Sequence, residues 1–223
     1  MLNNLIFDID DTLFPSSEFA ALARKNAVRA MIRMGLHADE ETLYGELQGI
    51  IKEKGSNYDK HFDLLLKRRK IGNASRFIAA AVGAYHDTKA SIQPFPDVPG
   101  TLLALKDIGY HLYIASNGIE VKQWDKLIRL GIALYFEDVF VSEKIGSEKS
   151  VKFYRKVLKK IGAKPSECMM IGDREDMDIA PAKKSGMYTI RVLGGRFKNI
   201  PTKADGRIKD FRKLPSTVLK LSR

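Results

Sequence analysis

Short apolar, β-branched runs recur along the chain: LIFDI at 5–9, YHLYIAS at 110–116, DVFVS at 138–142, CMMIGD at 168–173 and YTIRV at 188–192, with a weaker one near Ile208. None alternates strictly between apolar and polar positions. Strands covered on both faces have this continuous character, so the runs predict a buried parallel sheet. From Pro99 onward helical patterns separate them, GTLLALKDIG, KQWDKLIRLG, SVKFYRKVLKKIG and IAPAKKSG, closed by glycines suited to helix C-termini. Strand alternating with helix predicts an α/β fold, a Rossmann-like open parallel sheet with right-handed crossovers.

The interval from Ser16 to Gln93 breaks that rhythm. Its apolar spacing predicts four successive helices, at about 17–34, 39–54, 59–71 and 74–90. Gly35, Gly55 and Gly72 stand at the first three ends, and Asp39 and Asp59 where N-caps are wanted. The expected division is therefore an α/β core domain of residues 1–15 with 94–223, carrying an inserted α-helical bundle of residues 16–93. The proline-rich QPFPDVPG is a suitable return linker.

A chain of 223 residues has room for such a domain and its insertion. With 44% hydrophobic and 29% charged residues it reads as an ordinary globular protein. No stretch reaches the roughly 18 uninterrupted apolar residues of a membrane span, and MLNNLIFDID turns acidic too early for a signal peptide. A cytoplasmic protein with no membrane partner is expected. The single cysteine, Cys168, reads as a small core residue. The net charge of +11 raises the question of nucleic acid; from Lys183 onward twelve Lys or Arg stand against two Asp. These basic residues are scattered among apolar ones rather than packed in a tract, which predicts a solvated surface that helps to attract anions and no nucleic-acid partner.

The first apolar run ends in three carboxylates, Asp8, Asp10 and Asp11, within four positions. Unpaired charges taken out of water cost several kcal/mol each, of order, so a positive partner must meet them or one must do chemistry. In an open parallel sheet ligands gather at the carboxyl ends of strands. That edge would receive Asp8, Asp10, Asp11 and Thr12 after the first strand, and Ser116 and Asn117 after the second. Lys149 comes before the helix leading to the fourth strand, with Asp173 and Asp178 after that strand. Such an oxygen-rich, negative site suits a hard cation, Mg²⁺ best.

This combination resembles the haloacid dehalogenase superfamily of hydrolases, mostly phosphatases, over nearly the whole chain. Its four motifs have counterparts in DIDDTL at 8–13, SN at 116–117, Lys149 in SEKIGSEKS, and GDREDMDIAPAKKSGM at 172–187. The helical insertion looks like the family's cap of the first subclass. The resemblance implies that Asp8 is the nucleophile, forming an aspartyl-phosphate, and that Asp10 is the general acid and then the general base. It implies a Mg²⁺ held by the Asp8 carboxylate, the Asp10 carbonyl, Asp173 and, directly or through water, Asp178. Ser116, the Asn117 amide and Lys149 would hold the phosphoryl oxygens, and the first strand would be central. The implied function is a Mg²⁺-dependent phosphomonoester hydrolase acting on a small phosphorylated metabolite, as a monomer or homodimer.

Two other functions compete. A haloacid dehalogenase lacks an aspartate at position 10, which argues against it here; a basic nucleic-acid-binding protein on an inactive phosphatase scaffold is the other. Asp11 stands where the family often has glycine, and Ser150 where proline often follows the lysine. Glu175 and Asp176 are expected to be solvated loop residues, KRRK at 67–70 a solvated helix face, Tyr58, His61 and Trp124 packing residues, and GGR at 194–196 a plain loop.

Overall fold

The computed structural model describes residues 1–222. The chain divides into two compact units, residues 1–17 with 92–223, and residues 18–91.

The larger unit is built on six parallel strands: β1 (Asn4–Phe7), β2 (His111–Ser116), β3 (Asp138–Val141), β4 (Cys168–Gly172), β5 (Tyr188–Val192) and β6 (Gly206–Ile208). Their order is β3-β2-β1-β4-β5-β6, so the first strand is central and the order reverses on either side of it. Phe7 is level with Ile114 on one side and Ile171 on the other. The ends of β1, β2 and β4 therefore reach one rim together. All four residues of β1 and all five of β4 are buried, the physical reason these strands read as unbroken apolar runs. Cys168 is wholly buried, and burial pushes its thiol up to about 12, in keeping with a core residue.

The helices of the chain are α1 (Ser16–Arg33), α2 (Glu40–Lys54), α3 (His61–Arg68), α4 (Ser75–Ala90), α5 (Val98–Asp107), α6 (Glu120–Arg129), α7 (Ser142–Ile145), α8 (Val151–Ile161), α9 (Ala180–Lys184) and α10 (Leu214–Leu221). In α8 the apolar residues Phe153, Tyr154, Val157 and Leu158 fall on one face and pack with Ile6, Cys168 and Met170 of the sheet. Each such buried side chain contributes about 1.5–3 kcal/mol. Ser150 caps this helix, accepting a hydrogen bond from the Phe153 amide at 3.2 Å, which is the use of serine at the position where proline is common in the family.

The smaller unit encloses its own core of Val28, Met31, Leu43, Leu47, Ile50, Leu65, Leu66, Phe77 and Ala81, drawn from α1 to α4. Asp39 caps α2 as expected, accepting from the Thr42 amide at 2.9 Å. Asp59 does not cap α3: the helix begins one residue later, after Lys60, with no side-chain cap. Its other end also differs, because the left-handed turn falls on Lys70 (φ 57°) and not on Gly72. The basic run there lies on the surface as expected, with Arg68 on Glu53 at 2.6 Å and Arg69 on Glu46 at 2.6 Å. Tyr58 and His61 pack edge to face, 5.3 Å apart. Among the described residues no helix is long and apolar enough to cross a membrane.

Candidate active site

The rim at the carboxyl ends of β1, β2 and β4 gathers the predicted residues. Asp8 follows β1 directly, and its amide donates to the Ile171 carbonyl at 2.9 Å, carrying the ladder one step past the strand. Lys149, 6% exposed, lies between two carboxylates: its Nζ donates to Asp8 Oδ1 and, at 2.7 Å, to Asp178 Oδ1. Its backbone amide donates to Asn117 Oδ1 at 2.9 Å, so the end of β2 is tied to the lysine's loop. Ser116 is buried, with its hydroxyl on the Asn117 carbonyl at 3.3 Å. Lys144 instead pairs with Glu120 on the surface.

Asp178 sits on a π-helical turn, Glu175–Ile179, and is wholly buried. Its Oδ2 accepts from the Arg174 amide at 3.0 Å, closing the loop after β4. Gly172 makes this possible: a Cβ there would lie 2.4 Å from Asp178 Oδ2. On β2's side, Gly118 (φ 127°) leaves room for Gln123, whose Nε2 would stand 2.6 Å from a Cβ and which donates to the Asn117 carbonyl at 2.9 Å.

Asp173 is 2% exposed, and among the described residues neither of its carboxylate oxygens has a hydrogen-bond partner. Asp8, Asp173 and Asp178 each offer an oxygen within 4.8 Å of the others. Three carboxylates therefore face one ammonium, and the carboxyls respond. Burial, opposed by Lys149 and reinforced by Asp178 and Asp10, pushes Asp8 up to about 7. Burial and the charges of Asp8 and Asp178 push Asp173 up to about 8. Burial disfavours the charge of Lys149, yet Asp178 and Asp8 outweigh it and hold the ammonium above its ordinary range. An orphaned, buried carboxylate beside two others fits a hard cation with oxygen ligands.

Asp10 is the predicted site residue held apart from this cluster. Both its oxygens accept from Lys126 Nζ, each at 2.7 Å. Lys126 was not among the residues expected here. The signal for it is helical spacing: Gln123 and Leu127 of α6 are buried, and Lys126 lies beside them on the inward side.

Asp11 takes the left-handed conformation (φ 56°) that explains glycine at this position in the family, and its carboxylate is used locally. It accepts from the Ser17 amide at 2.9 Å and from the Ser16 hydroxyl at 3.1 Å, tying down the first turn of α1. In the GGR stretch a Cβ on Gly195 would lie 3.4 Å from the Asp11 side chain; the side chain of Arg196 lies outside the described residues.

Glu175 is not a solvated loop residue. It accepts from Thr202 Oγ1 at 2.6 Å and the Lys203 amide at 3.1 Å, and stands 3.6 Å from Arg191. Asp176 does lie on the surface, paired with Arg174. Arg191, one of the basic residues expected at the surface, is wholly buried. Its guanidinium donates to the carbonyls of Asp173 (2.9 Å), Phe197 (2.7 Å), Ile200 (2.8 Å) and Pro201 (3.2 Å), so one side chain fastens the Asp173 backbone to the loop after β5.

Comparison with known proteins shows the family. The model of the haloacid dehalogenase-like hydrolase family matches residues 2–186. A glyceraldehyde 3-phosphate phosphatase of Methanopyrus kandleri is 47% identical over 95% of this chain and 92% of its own. One of Methanocaldococcus jannaschii is 44% identical over 90% and 89%. Among solved structures, the HAD-hydrolase YfnB of Bacillus subtilis bound to magnesium superposes with a TM-score of 0.70 at 21% identity, covering 97% of this chain and 98% of that one. The chain belongs to the haloacid dehalogenase-like hydrolase family, as an enzyme of phosphatase type.

Proposed function

We propose that this protein is a Mg²⁺-dependent phosphomonoester hydrolase whose substrate is a small aliphatic phosphate ester, glyceraldehyde 3-phosphate in the first instance. The observation that carries the reading is the orphaned carboxylate of Asp173 beside the Asp8–Lys149–Asp178 chain. The substrate comes from the names of the relatives. In this proposal the helical unit takes the part of the family's cap, and the enzyme works in the cytoplasm.

An Asp8 oxygen attacks phosphorus while the ester oxygen departs, taking a proton from Asp10. Water then attacks the aspartyl-phosphate, giving its proton to Asp10, and inorganic phosphate leaves with Asp8 restored. Lys149, the Ser116 hydroxyl and the Asn117 amide hold the three phosphoryl oxygens as their charge is redistributed. Asp8, Asp173 and the Asp10 carbonyl would hold Mg²⁺, with Asp178 supporting it, since its two oxygens already accept from Lys149 and the Arg174 amide. The ion would supply positive charge that favours ionised carboxylates and offsets their repulsion of an anionic ester.

The test is phosphate release from a panel of phosphorylated metabolites with Mg²⁺. Preference for triose phosphates is expected; release from none of them, with halide release from a chlorinated acid or salt-sensitive binding of nucleic acid instead, would overturn the reading. Metal binding has its own signature. In the metal-free protein Asp8 and Asp173 have pKa values near 7 and 8, above those of an unfolded chain, so folding takes up protons and stability falls as pH rises from about 4 through 8. Mg²⁺ must displace those protons at pH 6 but fewer at pH 8.5. Its affinity should therefore rise with pH, by up to about tenfold per unit for each proton displaced, and calorimetry at pH 7 should show heats that depend on the buffer. Heats identical in all buffers would contradict this.

A further inference from the structure

We propose that Lys126 is the positioning residue for the acid–base carboxylate of Asp10, serving the proton donor as Lys149 serves the nucleophile. The inference rests on the reading of Asp10 as general acid and base. The two lysines take three carboxylates of the rim: Lys149 takes Asp8 and Asp178, and Lys126 takes both oxygens of Asp10 at 2.7 Å. The side chain of Lys126 is 17% exposed and that of Asp10 40%. Its Nζ also lies 5.9 Å from the centre of the Phe14 ring, and Phe14 pairs through its backbone with Asp10, so the ammonium rests on the turn that carries the carboxylate.

Stability does not account for this pair. An ion pair with one partner 40% exposed is screened by water and contributes about 0–1 kcal/mol, and ordering a lysine side chain costs up to about 2 kcal/mol. Orientation does account for it. A general acid must present one oxygen to the leaving group and then, in the second step, to water, in the same place. Asp10, three residues past the end of β1, has two side-chain torsions that could turn its carboxylate elsewhere. An ammonium has three donors on a flexible stem, so it keeps hold of one oxygen while the other is released to the substrate, as a third group orients the base in other nucleophile–base pairs.

The readout is the dependence on leaving group. For a covalent mechanism kcat/KM reports the steps up to departure of the alcohol, and only a poor leaving group needs the proton. Lys126→Met should lower kcat/KM for propyl phosphate by about tenfold or more, and that for dinitrophenyl phosphate by less than about threefold. Lys126→Arg should recover most of the loss. Lys126→Gln carries the same expectation as Lys126→Met, and each variant's thermal midpoint checks that it is folded. Equal losses on both esters, or none on either, would overturn the assignment. Asp10→Asn separates the two readings: if it penalises propyl phosphate selectively and Lys126→Met does not, only the role of Lys126 falls. If Asp10→Asn shows no such selectivity, the acid–base role of Asp10 falls and takes the role of Lys126 with it.

Discussion

Asp8→Asn is expected to lose phosphate release by at least about four orders of magnitude while melting no lower than the wild type in the absence of metal. Asparagine has the same shape but no free carboxylate to attack phosphorus. The native protein bears the cost of this charge: Asp8 is 6% exposed, and burial pushes its carboxyl up to about 7. Neutralising it leaves Lys149 with Asp178 as partner, at 2.7 Å, so the ammonium is not orphaned. Activity and stability should thus move apart, the pattern of a site kept for chemistry at the expense of the fold. Phosphate release beside a calorimetric scan checks both halves. Turnover within a hundredfold of wild type, roughly, would remove Asp8 from the nucleophile's place.

Arg191→Met should be the most damaging substitution away from the reacting groups. The lost guanidinium leaves the Asp173 and Ile200 carbonyls without their donor, the Phe197 carbonyl with the Ile200 amide, at 3.0 Å, in place of two donors, and the Glu175 carboxylate, with a side chain 19% exposed, without its cation. The Asp173 carbonyl is a buried acceptor left unsatisfied, at about 1–3 kcal/mol, and loss of the cation beside Glu175 adds to it, so a loss of roughly 2–4 kcal/mol and a fall in midpoint of about 5 °C or more are expected. The half-saturating Mg²⁺ concentration should rise by about tenfold or more, because the Asp173 backbone loses its tether. Arg191→Lys should rescue little, since one ammonium cannot span carbonyls that a planar fork reaches together. A midpoint unchanged within about 2 °C would show that the loop after β5 holds itself in place.

Much of the fold is legible in the sequence for a simple reason. Strands buried on both faces are largely apolar, so β1 to β5 appear as runs while the edge strand β6, with Arg207 exposed, gives only a weak one, and the site residues follow at the ends of β1, β2 and β4, where the topology collects them. The ends of α3 are less legible: Asp59 and Gly72 are suitable cap residues, but the packing of Leu65 and Leu66 sets a shorter helix, from His61 to Arg68. Arg191 is illegible locally, because its partners lie 18 residues before it and six to ten after, and nothing in YTIRV distinguishes a buried arginine from a solvated one. Lys126 is intermediate. Its position beside the buried face of α6 marks it, but only the sheet order shows which acid it meets.

The central place of β1 governs how the enzyme comes into being. Asn4 is level with His111 and Cys168, so during synthesis β1 has neither of its sheet neighbours until over a hundred further residues have been made. At 5–20 residues per second, the interval before Asp178 emerges is roughly 10–35 s. For that time NLIF is an exposed apolar strand with two open edges, the kind of segment that chaperones hold. Asp8, the proposed nucleophile, meets Lys149 only 141 residues further along, so a chain broken between them cannot form the proposed site.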